Sequence, residues 1–338
     1  MIEILACAGP ATVQDCGRPG YRHLGVPLAG ALDGDLLQLA NALAGNPLTT
    51  AAIEVRLVGP RLRAHAPVLV ALGGEMDGRI DSADGSSRPA RAWASHRLAV
   101  GDTLTLGAVR GGVAYLAVGG GIDVPVVLGS RSTYLRAAFG GFAGRQLAAG
   151  DRLAIGGSGA AHALECVLAT PPSRRTGVLR VLAGPQREYF TLAAWEQFVG
   201  SEFVVSREAD RMGLRLDGAC LKHDPAYGAD IVSDAVTPGA IQVAADGRAI
   251  VLLADCQTVG GYPKIATVIA ADLNCLAHAL PGTRLRFAAV TRAEALAARR
   301  ETAAALAKQI AAVIPVAAEI DLDALYSANL IDGVVHEH

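Results

Sequence analysis

Short apolar runs punctuated by glycine turns dominate the chain, and helical spacing is rare. Residues 2–6 (IEILA), 68–72 (VLVAL), 113–118 (VAYLAV) and 249–254 (AIVLLA) each have the length of a buried strand rather than a core helix. IEVRLVG and PRLRAHA (53–66) continue the strand pattern, and DSADGSS (81–87), Gly101-Asp102 and Gly150-Asp151 supply turns between strands. Two segments depart from this. Residues 33–43 place Leu36, Leu37, Ala40 and Leu43 on one helical face and stop at Gly45-Asn46-Pro47. Residues 291–314 open with Thr291 and Glu294 in capping-box spacing and run on through alanine-rich sequence, with Leu296, Ala303, Leu306 and Ile310 available to one face. The pattern predicts a mainly β protein with a few helices and a C-terminal helix.

The order of these runs repeats. GGVAYLAVGGGIDVP (111–125) resembles GRAIVLLADCQTVGGYP (247–263), and QLAAGDRLAI (146–155) resembles HALPGTRLRF (278–287). Strand, glycine turn and G-[DT]-R-L follow one another in both halves, which predicts a duplicated β-rich domain. The polar, proline-bearing stretch Thr170-Pro171-Pro172-Ser173-Arg174-Arg175-Thr176 lies near the midpoint and reads as the linker. The predicted units are residues 1–170, residues 177–290, and a C-terminal helix and tail over 291–338.

A hydrophobic fraction of 51% raises the question of a membrane protein. No run approaches the roughly 18–20 apolar residues that a bilayer helix needs, so the reading is a chain with a large core and no membrane association. MIEILACAGP lacks a basic region before its apolar residues, which argues against a signal peptide. A net charge of −2 gives no electrostatic footprint for nucleic acid. The six cysteines form no CxxC pair and read as reduced thiols of a cytoplasmic protein, not as a metal site or disulfide frame. The triple glycine 119–121 lacks the spacing of a dinucleotide fingerprint, and GxxxxGK[ST] and HExxH are absent. Gly156-Gly157-Ser158-Gly159-Ala160 does not have the spacing of a nucleophile elbow. His336-Glu337-His338 at the terminus reads as a tail rather than a metal site.

Candidate chemistry gathers where a strand runs into Asp255-Cys256-Gln257-Thr258, a turn at Gly260-Gly261-Tyr262-Pro263, and Lys264. Lysine is rare here, with only Lys222, Lys264 and Lys308, and its compact ammonium suits a single developing negative charge. The bland alternative is a polar strand end followed by a hairpin. Three further clusters carry a similar pair of readings. The loop from Thr12 to Tyr21 holds Arg18 among glycines and a proline, in a setting typical of either an elaborate turn or a binding surface. Ser130-Arg131-Ser132-Thr133-Tyr134 and Gly144-Arg145 offer two arginines that suit a carboxylate or phosphate, or else two surface cations. Asp210-Arg211 sits at a turn, where a local ion pair is the alternative to function.

VQDCGRPGYRHLGVPLAGALD, GGGIDVPVVLGSRSTYLRAAFGGFAGRQLAAGD, EADRMGLRLDG and LLADCQTVGGYPKIATVIAADL together resemble the biotin-dependent carboxyltransferase family, also called allophanate hydrolase subunit 2. Its members include the C subunit of ATP-dependent bacterial 5-oxoprolinase, the KipI antagonist KipA and part of urea amidolyase. The resemblance spans essentially the whole chain. It implies two cyclophilin-like β-barrel domains. It also implies a component of a 5-oxoprolinase-type enzyme that opens 5-oxoproline to glutamate. The alternatives are the carboxyltransferase component of a biotin-dependent urea or guanidine carboxylase, and a KipA-like antagonist without turnover. ATP is the implied cofactor, bound by or shared with a partner subunit. Biotin arrives only on a separate carrier chain, since no lysine here has a methionine neighbour. The implied partners are a KipI/allophanate hydrolase subunit 1-like protein and the LamB/YcsF-type A subunit of 5-oxoprolinase. On this reading Lys264, Asp255, Gln257 and Tyr262 are catalytic, with Asp255 orienting Lys264 or acting as a base. Thr258, Gly260, Gly261, Arg131, Tyr134, Arg145, Arg18 and Arg211 bind substrate, and no metal is expected.

Overall fold

A computed structural model describes residues 1–157, 164–173 and 177–316. Arg174, Arg175 and Thr176 of the expected linker, Ser158 to Ala160 and the C-terminal histidines lie outside the described residues. The protein is mainly β, as its apolar pattern predicts, with helices α1 (Gly34–Leu43), α2 (Leu192–Gly200), α3 (Leu273–Leu276) and α4 (Arg292–Ala311).

The two halves of the chain are built differently. The first half is built on two seven-stranded sheets that share one core, the second completed by a strand from beyond α4. One sheet is centred on Ile2–Cys7, Pro60–Ala64 and Thr103–Leu106, and the other on Ala52–Val55, Ala114–Val118 and Val68–Gly73. In Pro60–Ala64 the residues alternate, with Leu62 and Ala64 inward and Arg61 and Arg63 outward, as a one-sided sheet requires. Val68–Gly73 is buried at every position, because a second layer covers its other face. That layer is α1, capped by Asp33, whose side chain accepts from the Leu36 N–H. Leu36, Leu37, Ala40 and Leu43 are buried, as their spacing predicts. A Cβ at Gly73 would lie 2.6 Å from that of Ala40, so glycine there lets the helix approach the sheet.

In the second half seven strands close into a barrel, in the order Val178–Ala183, Lys264–Val268, Ala240–Val243, Ala249–Leu252, Gly213–Asp217, Glu202–Ala209, Arg284–Ala289. Closure comes from a parallel pairing between Val178–Ala183 and Arg284–Ala289. Phe198 of α2 stacks on Phe287 at 4.7 Å, with Phe203 5.7 Å from the same ring. These aromatics fill one region of the barrel core.

The capping box at Thr291 and Glu294 forms, and α4 follows it. Its inward stripe is Ala298, Thr302, Leu306 and Ile310, whereas Leu296 and Ala303 face solvent. Each residue turns the helix by about 100°, so Leu296 lies off the stripe that Ala298 sets. Beyond α4, Val313–Pro315 pairs with Cys166–Leu168, so the chain returns to a sheet of the first half. One apolar cluster runs without a break from the α1 leucines to Val181, Ile241 and Val251 of the barrel. No described helix is long and apolar enough to cross a membrane.

Candidate functional site

Where the halves meet, Glu54, Arg56 and Arg136 face Arg211, Met212 and Asp255 across a cleft of ≈ 400 Å³. Its base is an ion-pair cluster. All four positions of Ala52–Val55 are buried, so Glu54 is a carboxylate set into a core strand. The turn between Glu202–Ala209 and Gly213–Asp217 carries Arg211 to it. Arg211 donates from Nε and Nη2 to the two oxygens of Asp255, each at 2.9 Å, in a fork. It also donates from Nη1 to Glu54 and from Nη2 to the Gly30 carbonyl oxygen at 2.5 Å. The other oxygen of Glu54 accepts from the Tyr115 hydroxyl at 2.6 Å and the Leu32 N–H at 2.9 Å.

Burial opposes the charge on Arg211, but the carboxylates of Glu54 and Asp255 outweigh it and hold its pKa above the ordinary value. At Asp255 burial is the largest influence and raises the carboxyl pKa, against the pull of Arg211. Glu54 and Asp210 add to that rise. Burial and the same carboxylate, Glu54, push the Tyr115 phenol well up, so it stays a donor. Arg211 is therefore committed to positioning two acids, and Asp255 is the more basic for its surroundings.

The Asp255–Lys264 stretch does not act as one cluster. Asp255 lines the cleft, while Gln257 and Tyr262 line a neighbouring groove of ≈ 440 Å³ with Arg207 and Gln242. Asp210 and Met212 border both spaces, so the hairpin tip divides them. The Gln257 amide donates to Gln242 Oε1 at 3.4 Å. Thr258 is buried, and its carbonyl accepts from the Val236 N–H. Lys264 is buried at the start of its strand, and its Nζ donates to Asp234 Oδ2 at 2.7 Å and to the Ala235 carbonyl at 3.0 Å. That bond holds the Asp234 carboxyl below its usual range. The expected pairing of Asp255 with Lys264 is thus corrected: Asp234 reaches the ammonium, and Arg211 takes Asp255. Asp234–Ala235 pairs with Val259–Gly260, so Lys264 straps this ribbon to the barrel. Neither Gly260 nor Gly261 has left-handed backbone. Gly260 packs close to the Gln242 side chain, and a Cβ there would lie 2.6 Å from its amide nitrogen.

Arg18 is fully buried, with Nη2 donating to the Ser132 carbonyl at 2.5 Å and the guanidinium 4.8 Å from the Phe139 ring centroid. Its Nε and Nη1 have no hydrogen-bond partner. Burial lowers its pKa, opposed by the charges of Asp15 and Asp255. Burial, then the charge of Asp255, raises the Tyr134 phenol. Arg18 and Tyr134 therefore lie within electrostatic reach of Asp255. Arg131 and Arg145 do not form the expected clamp. Arg131 donates to Asp123 at 2.8 Å, and Arg145 forks onto Asp151 at 2.8 and 2.6 Å, because each loop carries its own acid. Arg131 instead borders a separate cavity of ≈ 310 Å³ beside the glycines at 120 and 121.

Glu54, Arg56 and Arg136 were not singled out by motif. The available signal was Glu54 itself, a charge within the apolar strand A-I-E-V. Among the described residues no group of three or more His, Cys, Asp or Glu side chains is placed to hold a metal ion.

The sequence matches the family described as carboxyltransferase domain, subdomain A and B, over residues 24–289, a stretch that includes Glu54, Arg211 and Asp255. It is 37% identical over 313 residues to the C subunit of 5-oxoprolinase from Escherichia coli, covering 89% of this chain and 95% of that protein. It is 30% identical over 305 residues to urea amidolyase of Saccharomyces cerevisiae, covering 85% of this chain and 16% of that protein. The fold superposes on the crystal structure of Kluyveromyces lactis urea carboxylase with a TM-score of 0.81 at 26% identity, over 94% of this chain and 30% of that one. This chain thus corresponds to nearly all of the first relative and to a minor part of the other two. It belongs to the carboxyltransferase domain family of subdomains A and B.

Proposed function

We propose that this chain is the substrate-holding component of an ATP-dependent enzyme of the 5-oxoprolinase type, opening the lactam of 5-oxoproline to glutamate in the cytoplasm. It acts with a KipI/allophanate hydrolase subunit 1-like protein and a LamB/YcsF-type A subunit. The observation that carries this reading is the Asp255–Arg211–Glu54 cluster at the base of the cleft between the halves. Phosphorylating the amide oxygen with ATP displaces the N–H proton, and cleavage of the C–N bond by water afterwards returns a proton to the leaving nitrogen. The site therefore needs a group that accepts and gives back that proton and donors at the oxygen that gains charge. Asp255 supplies the acceptor: its pKa is raised and the Arg211 fork fixes its orientation. Thr12 and Gln146, which also line the cleft, are neutral donors for the amide oxygen. The similarity to the C subunit of 5-oxoprolinase over 95% of that protein supports the same choice of substrate.

The carboxylates at the base of the cleft disfavour a polyphosphate there, and on this reading ATP is bound by or shared with a partner subunit. Biotin, where it takes part, comes on another chain. The likeness to the Kluyveromyces lactis urea carboxylase structure favours a second reading, the carboxyltransferase component of a biotin-dependent urea or guanidine carboxylase. There Asp255 would take the proton of the acceptor nitrogen. One assay separates the two. Purified with its partner subunits, the complex should release glutamate from 5-oxoproline only when ATP is present. Carboxylation of urea with a biotinylated partner, without glutamate release, transfers the assignment to the second reading. Neither activity rejects both.

A further inference from the structure

We infer that Arg56 and Arg136 form a carboxylate-reading pair that makes the cleft selective for a small amide bearing an anionic group over a neutral one. The inference rests on the cleft being the substrate site. The other arginines singled out around it are already engaged. Arg211 is neutralised by Glu54 and Asp255, Arg131 pairs with Asp123, and Arg145 pairs with Asp151. Arg18 is sealed behind Phe139.

Arg56 and Arg136 differ from these. Both line the cleft, and among the described residues neither has a carboxylate partner. Arg136 touches the Met212 sulfur, and only the backbone of Arg56 is hydrogen-bonded, its N–H donating to the Pro10 carbonyl at 3.0 Å. Their positions are nevertheless set by the backbone. Arg56 follows the strand Ala52–Val55 two residues after Glu54, and residues two apart along extended chain share a face. Arg136 sits in the short helical turn Leu135–Ala137, closed by Ala138 in a left-handed conformation with φ 52°.

The charges make the cleft bipolar. Two carboxylates share one guanidinium at its base, which suits a ligand N–H. Two unpaired guanidiniums stand on the wall, which suits a carboxylate held through forked hydrogen bonds. A neutral amide that displaced water from them would leave both without an acceptor, an unfavourable arrangement. The ligand class is a small lactam or amide with a carboxylate attached.

The test uses the complex with its partner subunits and the variants Arg56→Gln, Arg136→Gln and the double substitution. KM for 5-oxoproline is compared with the inhibition constant of 2-pyrrolidinone, the same ring without a carboxylate. Each substitution should raise KM roughly 10- to 100-fold and leave the 2-pyrrolidinone constant within about twofold. An unchanged KM, or a parallel rise in both constants, overturns the inference. So does competition by inorganic phosphate that is lost in the variants while KM stays unchanged, since the pair would then read phosphate. Met212→Trp, which fills the cleft, separates the two levels. If it abolishes turnover while the arginine variants behave as wild type, only the carboxylate reading fails. If all of them behave as wild type, the cleft is not the site. Calorimetric binding of both ligands to this chain alone gives the same comparison independently of turnover.

Discussion

At Asp255, burial and Arg211 pull one carboxyl in opposite directions, and burial wins. A carboxyl whose pKa rises on folding holds its proton more tightly in the native state. Its contribution to stability is present at low pH and lost as pH rises through the raised value. Activity runs the other way, since a proton acceptor must be ionised. The acid limb of the pH–rate profile should therefore lie above the ordinary aspartate value of about 3.9. Arg18 gives a way to move it. Removing a nearby positive charge should raise the Asp255 pKa further, so Arg18→Met should shift the acid limb to higher pH. An unmoved limb would show that Arg18 does not act on Asp255. Arg18→Met should also cost little stability, because two of its buried nitrogens lack partners and an apolar replacement removes that burden. Asp255 and Arg211 were both visible in the sequence as candidates. Their pairing was not, because the partners lie 44 residues apart, and Glu54 lies 157 from Arg211. Spacing along a chain reveals neighbours on one element, not residues that two loops bring together.

Among the elements, the ribbon of Asp234–Ala235 and Val259–Gly260 shows how a rare residue can serve structure. Lys264 stands out in the sequence as a lone lysine after a glycine turn, yet its ammonium straps that ribbon to the barrel. Lys264→Met should keep turnover within about tenfold of wild type, short of the roughly 10²–10⁴ that loss of an acid–base group costs. It should also speed amide hydrogen exchange at Val259 and Gly260. A loss of turnover beyond a hundredfold with unchanged exchange would restore Lys264 to the chemistry. In the barrel, Phe198→Ala should lower stability by about 3–5 kcal/mol, measured by urea unfolding, because Phe198 is fully buried against Phe203 and Phe287. Elements with strong local rules were legible: the α1 leucine face, the α4 capping box and the short buried strands. Which face of α4 points inward was not, because an alanine-rich helix has almost no apolar contrast, and packing at Ala298 and Leu306 decides it.

For the whole molecule, short apolar runs and glycine turns made a mainly β fold with few helices legible. They did not show that the first half of the chain would be built on two sheets and the second as a closed barrel, since pairing across long loops leaves no periodic trace. Nor did they show the cleft, which exists only where loops of both halves meet. We propose domains over 1–170 and 177–290 that unfold together. One apolar cluster and the Glu54–Arg211 pair cross between them, and Val313–Pro315 returns to a sheet of the first half. Calorimetry should give one transition whose calorimetric and van't Hoff enthalpies agree, whereas two resolved transitions would count against this. The central claim is that the cleft holds the substrate amide against Asp255. Its most direct test is ATP-dependent glutamate release from 5-oxoproline by the complex carrying Asp255→Asn, with folding checked by circular dichroism. The expected result is a loss of about 100-fold or more in a folded protein. Turnover equal to wild type would contradict it.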